Sequence, residues 1–166
     1  MVHSITPEPL TAEAFAPYGE VIEATSTAEA RSINYGNTTR FHDLFPVDVS
    51  NEGGQVCVNV FRSKPLAQPI TIKIMEHHPL GSQAFIPLGP EPYLVVVAEA
   101  GEFDASKIRV FQAAPGQGVN YRKGTWHHFS LALNSQSDFL VIDRKGGGNN
   151  CVEHELVDAD QLTITL

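Results

Sequence analysis

The residues best suited to chemistry begin in the stretch "MEHHPLGSQAF", residues 75–85. Glu76 and His78 stand two residues apart there, and Gln83 follows five residues later. Imidazole and carboxylate groups bind divalent transition metals and also serve as general acids and bases. By itself this spacing fits either a metal-binding mouth or a polar turn that happens to hold two histidines.

The alternation of side chains along a β-strand indicates which of these groups share a face. If "PITIKIMEHH" is one strand, its side chains alternate between two faces. One face carries Ile70, Ile72, Ile74, Glu76 and His78, and the other carries Thr71, Lys73, Met75 and His77. The first face then changes from isoleucines to polar groups. This change is expected where the packed interior of a barrel gives way to its open end, which we call the mouth. Burying these polar groups without partners costs several kcal/mol, so a metal, a ligand or a hydrogen-bond network must accompany them. A hairpin through "PLGS" returns Gln83 to the side of His78.

The elements that must position these groups are short β-strands. One segment, "TAEAFAPYG", is predicted to be a helix with Thr11 as its N-cap and Pro17 and Gly19 as its stops. The remaining β-rich segments, separated by Gly and Pro turns, have spacings typical of all-β sandwiches and barrels. They are "GEVIEA", "QVCVNVFRSK", "PITIKIMEHH", "SQAFIPL", "YLVVVAEA", "KIRVFQAA", "GVNY", "HHFSLAL", "SDFLVIDR" and "HELV". Residues 1–166 are therefore predicted to form a single all-β domain with a short N-terminal helix.

Composition narrows the possible functions. The chain has 166 residues and a formal net charge of −8, and its eleven basic residues form no run, which argues against nucleic-acid binding. No apolar run approaches the roughly 20 residues of a membrane helix, and no signal peptide is visible, so a cytoplasmic location is expected. There, Cys57 and Cys151 are expected to be free thiols. An anionic substrate would need a local cation or metal to overcome the negative field.

A second segment, "APGQGVNYRKGTWHHFSL", completes a resemblance to the cupin superfamily. Glu76-x-His78-x4-Gln83 is similar in spacing to the first cupin motif, and Gly118-x5-Gly124-x2-His127 is similar to the second. Glu76 stands where the superfamily has a histidine, and Gln83 stands where it has a glutamate. The resemblance implies a double-stranded β-helix, or jelly-roll barrel. It also implies a divalent metal, Ni, Mn, Fe or Zn, with Glu76, His78, Gln83 and His127 as its ligands. Because Gln83 is neutral, the ion is expected to be loosely held or absent.

The resemblance is closer to one family, the ureidoglycolate lyases. It is carried by "MEHHPLGSQAFIPL", "LVVVAEAGEFD", "IRVFQAAPGQGVNYRKGTWHH" and "DFLVIDRKGGGNNC", and also by "PLTAEAFAPYGEVIE" and "INYGNTTRFHDL". It implies cleavage of (S)-ureidoglycolate to glyoxylate and urea in allantoin and purine catabolism. It further implies a homodimer and an association with nickel.

This reaction assigns roles to particular residues. Glu76 or His127 is the expected base for the substrate hydroxyl, and Gln83 and Tyr121 are expected to line the same mouth. If no metal is present, a cationic side chain must hold the substrate carboxylate instead, and arginine is suited to this because its fork binds in two places at once. The candidates are Arg62, which we place in the substrate-binding set, and also Arg40, Arg144 and Lys123. Asp143 and Arg144, which end a strand, are expected to pair with each other.

Two other functions remain open at this level. One is a different metal-dependent cupin enzyme, such as a dioxygenase or a sugar isomerase. The neutral Gln83 counts against the dioxygenase, whose iron site would favour a charged ligand. The other is a cupin that binds a small molecule without turnover, since a fold does not fix a function. A binding protein needs no base, so replacement of Glu76 distinguishes it from an enzyme.

Overall fold

Strands make up most of the regular structure in the computed structural model, which describes residues 3–25 and 29–166. The strands are β1 His3–Ile5, β2 Glu8–Pro9, β3 Gly19–Ile22, β4 Glu29–Ile33, β5 Thr38–His42, β6 Gln55–Ser63, β7 Ile70–Ile72, β8 Ile74–His77, β9 Gln83–Pro87, β10 Tyr93–Ala98, β11 Arg109–Ala113, β12 Gly118–Tyr121, β13 Trp126–His127, β14 Leu131–Ala132, β15 Ser137–Lys145, β16 Val152–Glu155 and β17 Leu162–Ile164. The α-helix is α1, Ala12–Phe15, and short 3-10 helices span Asn34–Gly36, Asn51–Gly53 and Ala105–Lys107.

Two larger sheets pack face to face. One, the β8 sheet, has the order β16-β8-β13-β10-β11-β2, with β14 also paired to β10; the other, the β9 sheet, has the order β3-β12-β9-β15-β6. Val95 and Phe111 of the β8 sheet and Phe85 and Phe139 of the β9 sheet lie in one buried cluster. This arrangement confirms the predicted all-β, cupin-like fold, although the described strands form separate sheets and no closed barrel.

A smaller sheet, with the order β1-β17-β7, contributes to a second core. Ile72 and Ile164 of this sheet are buried in one cluster with Leu94 and Val96 of β10. Strand β10 is therefore buried on both faces, which explains why "YLVVVA" is apolar at every position rather than alternating.

The predicted helix is present and begins as expected. The Thr11 side-chain oxygen accepts a hydrogen bond from the Ala14 backbone N–H at 3.2 Å, which confirms Thr11 as the N-cap. Phe15, at the end of the helix, is completely buried in the first core. Gly19 follows with φ of +151° and lies so close to the Asn120 carbonyl that a Cβ atom there would clash with it.

The predicted continuous strand over residues 69–78 is wrong. The chain leaves the strand at Lys73, whose carbonyl accepts a hydrogen bond from the Leu156 N–H, so β7 and β8 belong to different sheets. The break changes which residues face the second core, because Met75 rather than Ile74 joins Ile72 there. The three isoleucines therefore do not form a floor beneath Glu76.

Other strand predictions differ in their limits. "HHFSLAL" was expected to be one strand but forms the short strands β13 and β14. Five strands were not predicted, namely β1, β2, β4, β5 and β17, which are two to five residues long and therefore short beside the roughly four to eight residues over which alternation indicates a strand. In the described part of the chain, no helix is long and apolar enough to cross a membrane.

The break at Lys73 makes a prediction about stability. Met75→Ala should lower the free energy of unfolding by about 2–5 kcal/mol, because it leaves a cavity in the second core. Ile74→Ala is the matched control and should cost less, because Ile74 is only partly buried. Urea denaturation of the two variants measures the difference. An equal or greater loss at Ile74 would contradict the assigned faces.

Candidate active site

Two strand pairings bring the two sequence segments together. His127 on β13 lies directly opposite Glu76 on β8, and Tyr121 on β12 lies directly opposite Gln83 on β9. Directly opposed residues of an antiparallel pair point to the same face. The Tyr121 and His127 rings stack with centroids 4.2 Å apart and an interplanar angle of 1°, so the two facing sheets meet at this point.

All four predicted metal ligands converge there. Glu76 Oε1 lies 4.0 Å from His78 Nε2 and 3.9 Å from His127 Nδ1. His78 Nε2 lies 3.2 Å from Gln83 Oε1. Each of Glu76, His78 and His127 offers a ligand atom within 4.8 Å of the others. His77 points to the opposite face, where its ring contacts Trp126 at 4.3 Å, as the strand alternation predicted.

The hydrogen bonds of His78 and Gln83 fit a cation between them. The His78 Nδ1–H donates to the Asn150 carbonyl at 2.6 Å, so in a neutral ring the lone pair is on Nε2. That lone pair faces Gln83 Oε1, which is also an acceptor. Two acceptors this close need a proton or a cation between them.

His127 supplies a second observation that fits a metal. Its Nε2 is buried and, within residues 3–25 and 29–166, has no hydrogen-bond partner. Burial, reinforced by the neighbouring His78, lowers the pKa of His127 to about 3. The imidazole is therefore neutral at physiological pH, which is the form that binds metals. The nitrogen 3.9 Å from Glu76 Oε1 is Nδ1, which also lies 3.2 Å from the His128 carbonyl, so Nε2 is the nitrogen whose lone pair is unused.

Burial also changes the acid–base properties of the two neighbouring oxygen groups. It raises the pKa of Glu76 above its ordinary value, and the charge of His78 only partly offsets this effect. Burial likewise raises the pKa of Tyr121, with a smaller contribution from Glu76. Glu76 is therefore a stronger base than an exposed carboxylate, and Tyr121 keeps its hydroxyl proton.

Asp143 is a site residue that the sequence reasoning missed. Its Oδ2 accepts a hydrogen bond from Gln83 Nε2 at 3.2 Å, and its Oδ1 accepts one from Asn59 at 3.1 Å. The expected pair with Arg144 is wrong, because the Arg144 guanidinium donates to the Asn51 carbonyl instead. Strand alternation was the available signal, since adjacent residues point to opposite faces.

The structure does not bring Arg62 together with the other predicted site residues. Arg62 forms a two-pronged ion pair with Asp138 on the outer surface. Asp138 is five residues from Asp143 on the same strand, a separation of about 17 Å. Lys123 contacts Asp48, and the remaining candidate, Arg40, lies on β5.

The all-β fold and the cluster of Glu76, His78, Gln83 and His127 together define a cupin-like protein whose site offers nitrogen and oxygen ligand atoms. Residues 2–164 match the family model described as ureidoglycolate lyase, so the chain belongs to the ureidoglycolate lyase family.

Relatives named ureidoglycolate lyase agree with this membership. A protein of Burkholderia mallei (strain NCTC 10229) is 54% identical over 156 residues, which cover 94% of this chain and 91% of the relative. One from Pseudomonas putida (strain W619) is 46% identical over 158 residues, covering 95% and 94% of the two chains. "Ureidoglycolate lyase 1" of Rhizobium meliloti (strain 1021) is 49% identical over 159 residues, covering 96% and 93%. The similarity therefore extends over almost the whole length of each protein.

The position of Asp143 behind Gln83 generates a prediction about metal affinity. Asp143→Ala should weaken Ni²⁺ binding by about 10–100-fold, because the Gln83 amide loses the contact that orients its oxygen. Asp138→Ala, on the same strand but facing outward, is the matched control and should leave the affinity unchanged. Titration calorimetry measures both. Unaltered Ni²⁺ affinity in Asp143→Ala would show that this contact does not support the site.

Proposed function

We propose that this chain cleaves (S)-ureidoglycolate to glyoxylate and urea in allantoin and purine catabolism, acting as a single cupin domain. The observation that carries the proposal is the convergence of Glu76, His78, Gln83 and His127 in a member of the ureidoglycolate lyase family. A carboxylate of raised pKa beside two imidazoles is suited to moving a proton.

The reaction requires two proton movements and no water. The central carbon of ureidoglycolate carries a hydroxyl, a carboxylate and a urea nitrogen. When the hydroxyl loses its proton, the oxygen forms a carbonyl and the carbon–nitrogen bond breaks. The departing nitrogen takes up a proton, so the products are glyoxylate and urea. A single group that accepts the first proton and returns it to the nitrogen satisfies this balance.

Glu76 is the residue suited to that role. His127 has a pKa of about 3 and does not hold a proton at neutral pH, so it is a poor acid for the departing nitrogen. Glu76 Oε1 faces the two histidines, while its Oε2 lies 3.8 Å from the Cys151 sulfur. Oε2 is therefore the oxygen turned away from the histidines, and we propose that it accepts and returns the proton; an ion held by Oε1 would lower the pKa that burial raises. Tyr121, which keeps its hydroxyl proton, lines the same space beside His127.

A divalent ion, which we propose to be nickel, fits the site with Glu76, His78, Gln83 and His127 as its ligands. When bound, such an ion supplies Lewis acidity to the carboxylate and hydroxyl oxygens of a substrate. Gln83 is kept in position by Asp143, and His78 by the Asn150 carbonyl.

The proposed role of Glu76 is tested by Glu76→Gln. We expect the release of glyoxylate from (S)-ureidoglycolate to fall by about 10²-fold or more, because the amide cannot accept the hydroxyl proton. Glu155→Gln, at an exposed position on β16, is the control and should keep wild-type activity. Release by the wild type no faster than the spontaneous rate, with and without added Ni²⁺ or Mn²⁺, would refute the proposed function.

We also propose that the protein is a homodimer and works in the cytoplasm. The outward side chains of the edge strand β6 form a valine stripe, Val56, Val58 and Val60, which is 49–60% exposed. A stripe of this kind is typical of a surface that another chain covers. Cys57 and Cys151 are both free thiols, which is consistent with a reducing compartment.

The valine stripe makes the dimer testable. Val58→Glu should shift the sedimentation profile from dimer towards monomer, because a charge would be buried in the interface. Val157→Glu is the matched control, since Val157 is 65% exposed and lies outside the stripe. A Val58→Glu protein that sediments like the wild type would exclude this face as the dimer interface.

A further inference from the structure

The hairpin of β4 and β5, residues 29–42, stands apart from the rest of the fold. Its two strands pair only with each other, and every residue of β4 is exposed. The side-chain hydrogen bonds that the structure shows for residues 29–42 all stay inside the hairpin, from Arg31 to Glu29 and from Asn34 to Thr38. The turn at its tip is formed by Asn34 and Tyr35, both with positive φ.

A hairpin of this size does not stabilise itself well. An isolated two-stranded hairpin is at best marginally stable in water, and it needs a third strand or another packed surface. This one leaves Tyr35 fully exposed and Ile33 38% exposed. Its strands are five residues long, so it reaches about 17 Å from its base. These properties indicate an arm that is completed by contact with something else.

The arm carries two arginines directly opposite each other. Arg31 on β4 pairs in register with Arg40 on β5, so both guanidinium groups share one face. Like charges in this position destabilise a hairpin. Arg31 is partly neutralised by Glu29, but Arg40 has no hydrogen bond or ion pair within the described part of the chain. In a protein of net charge −8, such a pair of cations is placed for an anion.

The candidate active site needs a cation of this kind. Its ionisable neighbours include Glu76, Asp143 and Glu153, which lies opposite Glu76 on β16. Two of the basic candidates are already engaged, Lys123 with Asp48 and Arg144 with the Asn51 carbonyl. An anionic substrate would therefore enter a mouth lined by carboxylates.

We propose that the β4–β5 hairpin is an inter-subunit arm, which docks on a second copy of this chain and presents Arg31 and Arg40 to the substrate carboxylate at the partner's active-site mouth. A second copy is the occupant that the structure favours. The arm makes no side-chain hydrogen bond to the described remainder of its own chain, and the valine stripe on β6 offers a surface for self-association. The arm's positive face is complementary to the acidic mouth. The role given to the arginines rests on the proposed function, whereas the docking of the arm does not.

Docking is tested by cross-linking, without any need for activity. Cys151 lies at the mouth, with its sulfur 3.8 Å from Glu76 Oε2. In a Cys57→Ser background, Ile33→Cys adds a thiol on the arginine face of the arm. A short bis-maleimide should then produce a covalent dimer on a denaturing gel, and Cys151→Ser in the same protein should abolish that dimer. A protein that stays monomeric on the gel would overturn the proposal, because the arm would then reach its own mouth or none.

The role of the arginines is tested with hybrid dimers of the full-length chain. Arg40→Gln and Glu76→Gln homodimers should each release glyoxylate at least about tenfold more slowly than the wild type. A hybrid of one chain of each kind, purified through two different tags, should recover half of the wild-type activity. It contains one site with an intact Glu76 and an intact arm from the other chain. Lys107→Gln, which removes an exposed cation elsewhere, is the matched control and should behave like the wild type.

The two tests separate the possible failures. A hybrid no more active than its parents would overturn the inter-subunit role of Arg40 while leaving the lyase function intact. A wild type without lyase activity would refute the proposed function, and the cross-linking result would still decide whether the arm docks on a second copy.

Discussion

The antiparallel register between β8 and β13 is the constraint on which the candidate site depends. It places His127 directly opposite Glu76, although the two residues are 51 positions apart in the chain. A slip of one residue would turn one of the two side chains to the other face of the sheet, towards the second core. On the face towards the second core, the His77 ring of β8 contacts the Trp126 ring of β13, and this contact stabilises the register. Packing on one face of the sheet thereby fixes the chemistry on the other.

The facing β9 sheet completes the site through a chain of hydrogen bonds. Asn59 and Gln83 both donate to Asp143, and Gln83 in turn presents its oxygen to His78. Because each contact uses a group that burial would otherwise leave unsatisfied, the network has little freedom to rearrange. Two points of the site stand out within residues 3–25 and 29–166, the buried Nε2 of His127, which has no partner, and the close approach of His78 Nε2 to Gln83 Oε1. Those two points are where a ligand or an ion fits.

The sequence was most informative where a pattern reflects local physics. Strand alternation separated His77 from Glu76 and His78, and the N-cap preference located the start of the helix at Thr11. Predictions from the sequence failed where contacts between distant parts of the chain determine the structure. The break at Lys73 depends on a hydrogen bond from Leu156, more than eighty residues away, and no local pattern announces it.

The same limit applies to the site. Motif spacing brought the four candidate ligands together, but spacing carries no information on which charged groups are already paired. Arg62 was chosen as the type of residue that binds carboxylates, yet its fork is occupied by Asp138 on the outer surface. The sequence did not predict Asp143 as a site residue, because its partners, Gln83 and Asn59, lie on two different neighbouring strands. Pairing across a sheet is settled by register, which the sequence alone does not give.

The neutral Gln83 acquires a reason once the charges of the site are considered together. Glu76, Asp143 and Glu153 already bring carboxylates to this part of the structure, and a glutamate at position 83 would add another beside them. In a protein of net charge −8, that addition would further repel an anionic substrate. Asp143, one hydrogen bond behind Gln83, polarises the amide oxygen without contributing its charge directly to the ion. An amide at position 83 thus costs some metal affinity but spares the site one further negative charge.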